Sequence, residues 1–183
     1  MQSHRSDFLR ILIVSAVILA TGCVARNSQP STAAGLNIYS GFDSMVTPAG
    51  TRRPWPHRGV DIAAAVGAPI IAPADGIVMA SVSEERYGIK LELVHEVAGE
   101  RFHTVYGHLD RTLMKVGDPV RRGQVVGHIG TTGATSFQYS HVHFEITLHG
   151  IAPQDPEKIV IGCFDPNRAY PSDRVVLTWP LRC

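Results

Sequence analysis

An excess of charge of either sign is missing from this chain. Seventeen Lys and Arg face sixteen Asp and Glu over 183 residues, and no basic run stands out. Without a basic patch there is no electrostatic footprint for a phosphate backbone, which argues against nucleic acid as a partner. Helical stripes are missing too, since no stretch of ten or more residues beyond the N-terminal segment repeats its apolar residues at helical spacing. Cysteine is scarce, with three in all. A hydrophobic run long enough for a membrane helix is also lacking. The uncharged run Ile11–Ala20 (ILIVSAVILA) comes nearest, and ten residues rise only about 15 Å as a helix, half of a hydrocarbon core. What remains is 44% apolar and 18% charged, the balance of an ordinary globular protein, with length for one modest domain plus extras at its ends.

The N-terminus reads as an address. Arg5 and Arg10 precede the short apolar run in the manner of a signal peptide,. The following Leu19-Ala20-Thr21-Gly22-Cys23 resembles a bacterial lipobox, in which the cysteine is diacylated and becomes the new N-terminus. An ordinary cleaved signal with a chance cysteine is the alternative. Residues 1–22 are thus expected to be removed, leaving a formally neutral chain of fifteen basic and fifteen acidic residues. Val24 after Cys23 is not the aspartate associated with inner-membrane retention, so lipid anchoring in the outer membrane, facing the periplasm, is expected. Residues 23–37 are small and polar and read as a flexible tether, with a reach on the order of 20 Å. Cys163 and Cys183 remain as an even pair in an oxidising compartment and are expected to form a disulfide. Two zinc-binding thiols are the alternative, weakened by the lack of further ligands at a suitable spacing.

From Ile38 onward the dominant period is two, with turns every eight to twelve residues. Ile77–Val82, Ile89–Leu93, Arg101–Tyr106 and Val125–Ile129 read as strands, and Ala72–Gly76 as a turn. This is an all-β pattern. The clearest strand is His141–His149 (HVHFEITLH), where Val142, Phe144, Ile146 and Leu148 fall on one face and His141, His143, Glu145, Thr147 and His149 on the other. Such alternation predicts a half-buried strand, with His141 and His143 about 6.5–7 Å apart on the same face. A folded domain is expected over 38–150, followed by an extension, 151–183, stapled by the Cys163–Cys183 bridge.

Three segments concentrate the imidazoles: His57-Arg58-Gly59-Val60-Asp61, Tyr106-Gly107-His108-Leu109 and His141-Val142-His143. Alone, each is weak, because a histidine on a polar strand face is more often solvated or hydrogen-bonded than a ligand. Together they offer what a catalytic zinc requires, three nitrogen and oxygen ligands with the fourth position left to water. A two-His, one-carboxylate set also suits ferrous iron, so ligand type alone leaves the metal open.

These segments, in this order, resemble the lysostaphin-type (LytM-like) zinc metallopeptidases that hydrolyse peptidoglycan peptides. His57 to Ala63 (HRGVDIA) matches the H-x-G-x-D-I motif of that family, and Gly67–Gly76 its G-x-P-V-x-A-x-x-D-G segment. Tyr106 to Leu109 resembles Y-x-H-L. Val116–Val120 with Gly123-Gln124, and Thr132-Gly133 followed by His141–Glu145, resemble the remaining motifs. The resemblance implies a twisted antiparallel sheet (a duplicated hybrid motif) with an open groove. It also implies one Zn²⁺ held by His57, Asp61 and His143, with His108 and His141 as the catalytic pair that does not bind metal. Which of the pair is the general base is left open. The expected activity is a zinc metalloendopeptidase acting on peptidoglycan peptides, with a D-alanyl–diaminopimelate bond as target. A non-catalytic peptidoglycan-binding or hydrolase-activating lipoprotein, or one that links membrane to wall, is the rival reading, and the need for a protein activator is left open.

The sequence departs from the family in two places. Seven residues (ATSFQYS) separate Gly133 from His141, where the family has about five, so Phe137, Gln138 and Tyr139 are expected to border the groove. Tyr39–Pro54 matches only loosely, and no oxyanion tyrosine is assigned there. Trp55 either lines the cleft or packs in the core. Glu145 either orients a ligand imidazole or serves the strand. His95, His103, His128 and His149 are expected at the surface or in hydrogen bonds.

Overall fold

The computed structural model describes residues 35–183. The signal peptide and lipidated Cys23 expected from the sequence lie outside the described residues. Ten strands dominate: β1 Asn37–Ser40, β2 Val60–Ala63, β3 Pro69–Ile71, β4 Gly76–Glu84, β5 Gly88–Val97, β6 Glu100–Thr112, β7 Pro119–Val120, β8 Val125–Ile129, β9 His141–Leu148 and β10 Ala152–Gln154. One helical turn, α1 Pro156–Ile159, follows, capped by the Asp155 side chain on the Glu157 N–H. The all-β expectation holds, and every pairing is antiparallel.

The main path of the sheet runs β1-β2-β9-β6-β5-β4-β7, with β10 on β9 and a branch of β8 and β3 from β6. Two central strands bring the histidine segments together. β9 pairs with β2 so that Asp61 lies opposite His143, and with β6 so that Gly107, next to His108, also lies opposite His143. Residues 82 positions apart thus become cross-strand neighbours, within reach of each other's side chains. Gly59 makes the β2 approach possible, since a Cβ there would overlap the carbonyl of Phe144.

On one side of the sheet Val60, Ile62, Leu91, Leu93, Tyr106, Leu109, Val142, Phe144 and Ile146 form the core. The other face of β9 is not solvated. His141, His143, Glu145 and Thr147 are all at most 5% exposed, which corrects the expectation of a half-buried strand. The cover is local. Tyr87 stacks on His143 and Tyr39 meets His141 edge-on. The strand also ends one residue early, and His149 turns the chain with φ of 52°.

The segment after residue 151 belongs to the same packing. Leu177, Trp179 and Leu181 are buried in the core, with Trp179 against Phe144 at 6.3 Å between ring centroids. The main chain of 177–180 bonds to Ile71 and Pro73 on one side and to Ile161 and Gly162 on the other. Cys163 and Cys183 are joined by a disulfide, with their Cα atoms 5.9 Å apart.

Candidate metal centre and cleft

His57, Asp61 and His143 each present one ligand atom to a common point, and all three residues are buried. His57 Nε2 lies 3.0 Å from His143 Nδ1. Asp61 Oδ1 lies 3.2 Å from His57 Nε2 and 2.8 Å from His143 Nδ1. Three ligands at about 2.1 Å around a tetrahedral ion stand roughly 3.4 Å apart, so small outward movements would seat one.

The outer nitrogens decide whether this donor set suits a cation. His57 Nδ1 lies 2.9 Å from the Gly41 carbonyl, which can only accept. His143 Nε2 lies 2.9 Å from Glu145 Oε1, itself the acceptor of the Tyr87 hydroxyl at 2.6 Å. Each outer nitrogen therefore carries the hydrogen, and in the neutral rings each inner nitrogen is left with a lone pair. Two imidazole lone pairs and a carboxylate oxygen then converge, an arrangement that repels itself unless a positive charge sits among them. The set fits a divalent metal ion.

The electrostatics agree. A proton can stand in for that charge: burial would push Asp61 up, but a hydrogen bond donated by protonated His143 Nδ1, and a second from His57, hold its carboxyl well below the usual range. Burial likewise opposes charge on His143, yet Asp61 and Glu145 outweigh it and raise the imidazole to about 9. Two carboxylates thus favour a cation at this point. The second oxygen of Asp61 is turned to Arg53 Nη2 at 3.5 Å, and that guanidinium also donates to Ser40.

His108 and His141 stand beside this triad in a different state. His108 Nδ1 donates to the Thr132 carbonyl and His141 Nδ1 to the Tyr139 carbonyl, each at 2.8 Å. Their Nε2 atoms are left as acceptors, with the rings 4.7 Å apart and His141 Nε2 3.7 Å from Asp61 Oδ1. Burial, reinforced by the neighbouring His141, pushes His108 down to about 4, and burial lowers His141 as well. Both are neutral bases at pH 7. His108 holds φ at 65°, an unusual conformation for a non-glycine residue, and the irregular register of β6 at Leu109–Arg111 accompanies it,.

Of the groove residues, Trp55 is 55% exposed. It lines a pocket of about 640 Å³ that also touches His57, so cleft and not core is its place. Phe137 borders a second hollow that shares Trp55 and Arg86 with the first. Tyr139 lies against Tyr39, their centroids 6.5 Å apart. Tyr39 and Tyr87 were not anticipated as part of the site. Tyr39 sits in the loosely matching stretch, and Tyr87 in a turn with no motif around it. Glu145 turns out to orient His143. Cys163 and Cys183 lie in the disulfide, apart from the metal-ligand cluster.

An all-antiparallel sheet that gathers a buried His-Asp-His cluster and two neutral histidines into an open cleft defines a metallohydrolase type of site. Residues 55–156 match the family described as Peptidase family M23, and the chain belongs to that family. It is similar to the peptidoglycan DD-endopeptidase ShyA of Vibrio cholerae, 34% identical over 113 residues. That match covers 62% of this chain and 25% of the relative, so the chain spans about a quarter of that protein's length. Among solved structures it resembles a zinc-containing peptidase from Vibrio cholerae, with a TM-score of 0.58 and 35% identity over 67% of this chain and 36% of that one. It also resembles the catalytic domain of lysostaphin from Staphylococcus simulans, with a TM-score of 0.52 and 27% identity over 66% and 86% of the two chains.

Proposed function

We propose that this chain is a zinc-dependent endopeptidase that hydrolyses peptide cross-links or stem peptides of bacterial peptidoglycan, with the D-alanyl–diaminopimelate bond as its target. The observation that carries the reading is the convergence of His57 Nε2, His143 Nδ1 and Asp61 Oδ1 within 3.2 Å of one another. Zinc bound there would polarise the scissile carbonyl and acidify a water molecule. His57, Asp61 and His143 would hold the ion, while Gly41 and Glu145 keep the two imidazoles turned towards it. His108 and His141 offer neutral Nε2 atoms beside the triad, suited to accept a proton from the attacking water and return it to the leaving amine,. Similarity to a DD-endopeptidase of peptidoglycan supports the substrate class. Lipidation at Cys23 would tether the domain to the outer membrane, facing the wall.

The test is digestion of purified sacculi with the zinc-loaded chain, followed by mass spectrometry of the released muropeptides. Cleavage between D-alanine and diaminopimelate is expected. Release of disaccharides with intact stems would replace the endopeptidase reading by an amidase or glycosidase. His143→Ala should abolish both stoichiometric zinc and hydrolysis, and envelope function that persists undiminished in that variant would favour a non-catalytic role.

A further inference from the structure

The pocket beside the triad carries a charge pattern that the hydrolytic chemistry leaves unused. Its walls include His57, Trp55, Arg58, Arg86, Phe42 and Asp43. His57 is shared with the triad, so the pocket begins where the peptide bond would lie. Arg58, with its side chain 45% exposed, donates from Nε to Glu145 Oε2 at 3.5 Å. Its terminal nitrogens make no other hydrogen bond among the described residues. Arg86 has no carboxylate partner among the described residues. Its guanidinium lies 5.5 Å from the Trp55 ring centroid and 5.2 Å from that of Tyr87. Arg58 and Arg86 line this one pocket together with Trp55 and His57. Asp43 is the acidic residue in the same wall, leaving cationic side chains in the majority in a protein that is otherwise close to neutral.

We propose that Arg58 and Arg86 bind a free carboxylate on the substrate residue that follows the scissile bond, with the hydrocarbon part of that residue lying on Trp55. This specificity rests on the endopeptidase reading. In a D-alanyl–diaminopimelate bond the amide nitrogen is attached to a D-centre that bears its own unlinked carboxylate. That anion therefore sits one carbon from the reacting nitrogen, on the leaving-amine side. A guanidinium fork meets a carboxylate with two parallel N–H donors. Trp55 and Tyr87 hold Arg86 by their faces, while Glu145 anchors Arg58 by Nε alone. The arrangement thus leaves the terminal N–H donors of both guanidiniums free for a ligand, Arg86 with no carboxylate partner among the described residues and Arg58 paired with Glu145 through Nε only. It would select a peptide with a free carboxylate at this position over one in which it is amidated.

The test uses two peptides that differ only in this group, carboxylate or carboxamide, on the residue after the D-alanyl bond. For the zinc-loaded full chain, kcat/KM should favour the acid by about tenfold, the effect of a charge-assisted hydrogen bond. Calorimetry on the metal-free chain should show a similar ratio of affinities without any turnover. Arg58→Gln and Arg86→Gln should each shrink the ratio, and the double variant should bring it close to one. Arg58→Lys should restore part of it, and thermal melts check that each variant folds. Equal cleavage of both peptides by the parent chain, or an unchanged ratio in the double variant, would overturn the proposal while leaving the endopeptidase reading in place. Binding that prefers the acid with no cleavage of either peptide would sink the endopeptidase reading and keep the carboxylate site. No cleavage and no preference would end both.

Discussion

At the scale of single residues the site depends on groups that never touch substrate. Glu145 accepts from His143 Nε2 and from Tyr87, and so fixes which nitrogen of His143 faces His57 and Asp61. Glu145→Ala removes that acceptor, and zinc affinity should fall by about 10–100-fold, read by competition with a chromophoric chelator. Glu145→Gln keeps an acceptor and should fall less. A second buried histidine has a different job. His95 Nδ1 donates to the Asp75 carbonyl at 2.9 Å and Nε2 accepts from Thr104 Oγ1 at 2.8 Å, which is in turn 2.9 Å from the Tyr106 hydroxyl. Burial pushes His95 down to about 4 against an ordinary 6.5. Its folded value lies below its unfolded value, so the unfolded chain binds the extra proton first. The neutral ring's contribution is complete above pH 6.5 and is lost as the pH falls from there towards 4, up to about 3 kcal/mol in all. Urea melts from pH 7 to pH 4.5 should show this loss, and His95→Gln should remove its share of the acid limb, leaving the part that His108 and His141, also lowered by burial, contribute. An equally steep acid limb in that variant would assign the effect to other groups.

At the scale of strands, register does what composition cannot. Asp61 faces His143 because β2 lies antiparallel on β9 in one particular register, and Gly59 allows that approach. Gly59→Ala should push β2 off the Phe144 carbonyl and move His57 and Asp61 together. Stoichiometric zinc should be lost and the melting temperature lowered, whereas Gly99→Ala, in a turn with nothing within 4 Å of its Cβ, should keep its zinc. The period-two pattern of β9 was enough to place His141 and His143 on one face, because side-chain alternation is a local property. The covering of that face was not legible. Tyr39 and Tyr87 arrive from a strand and a turn far away in sequence, and only the assembled sheet lays them over His141 and His143. Arg58 stood inside a recognised motif at its variable position, so the motif concealed its placement in the pocket. Leu177, Trp179 and Leu181 do alternate, but the cysteine pair marked 151–183 as a stapled extension, and three alternating residues do not show which surface they cover.

At the scale of the whole molecule, the last residues close the core from the side away from the cleft residues. Trp179 is 2% exposed and touches Phe144, whose neighbours along β9 are His143 and Glu145. The chain from 177 to 180 lies between the Ile71–Pro73 segment and Ile161–Gly162, and the Cys163–Cys183 bridge closes this loop. A link across 20 positions should contribute about 3 kcal/mol by restricting the unfolded chain. Replacing both cysteines by serine should lower stability by that order, measured by urea unfolding of the metal-free chain, while zinc content at room temperature stays stoichiometric. Trp179→Ala should cost as much or more, about 3–5 kcal/mol, because it leaves a cavity under β9. The two changes act on one segment, so their effects should not add. With the bridge gone, Trp179 is held by packing alone, and with Trp179 gone the bridge ties down a segment that has lost its main contact. A double variant whose loss equals the sum of the two would show that bridge and ring stabilise the fold independently.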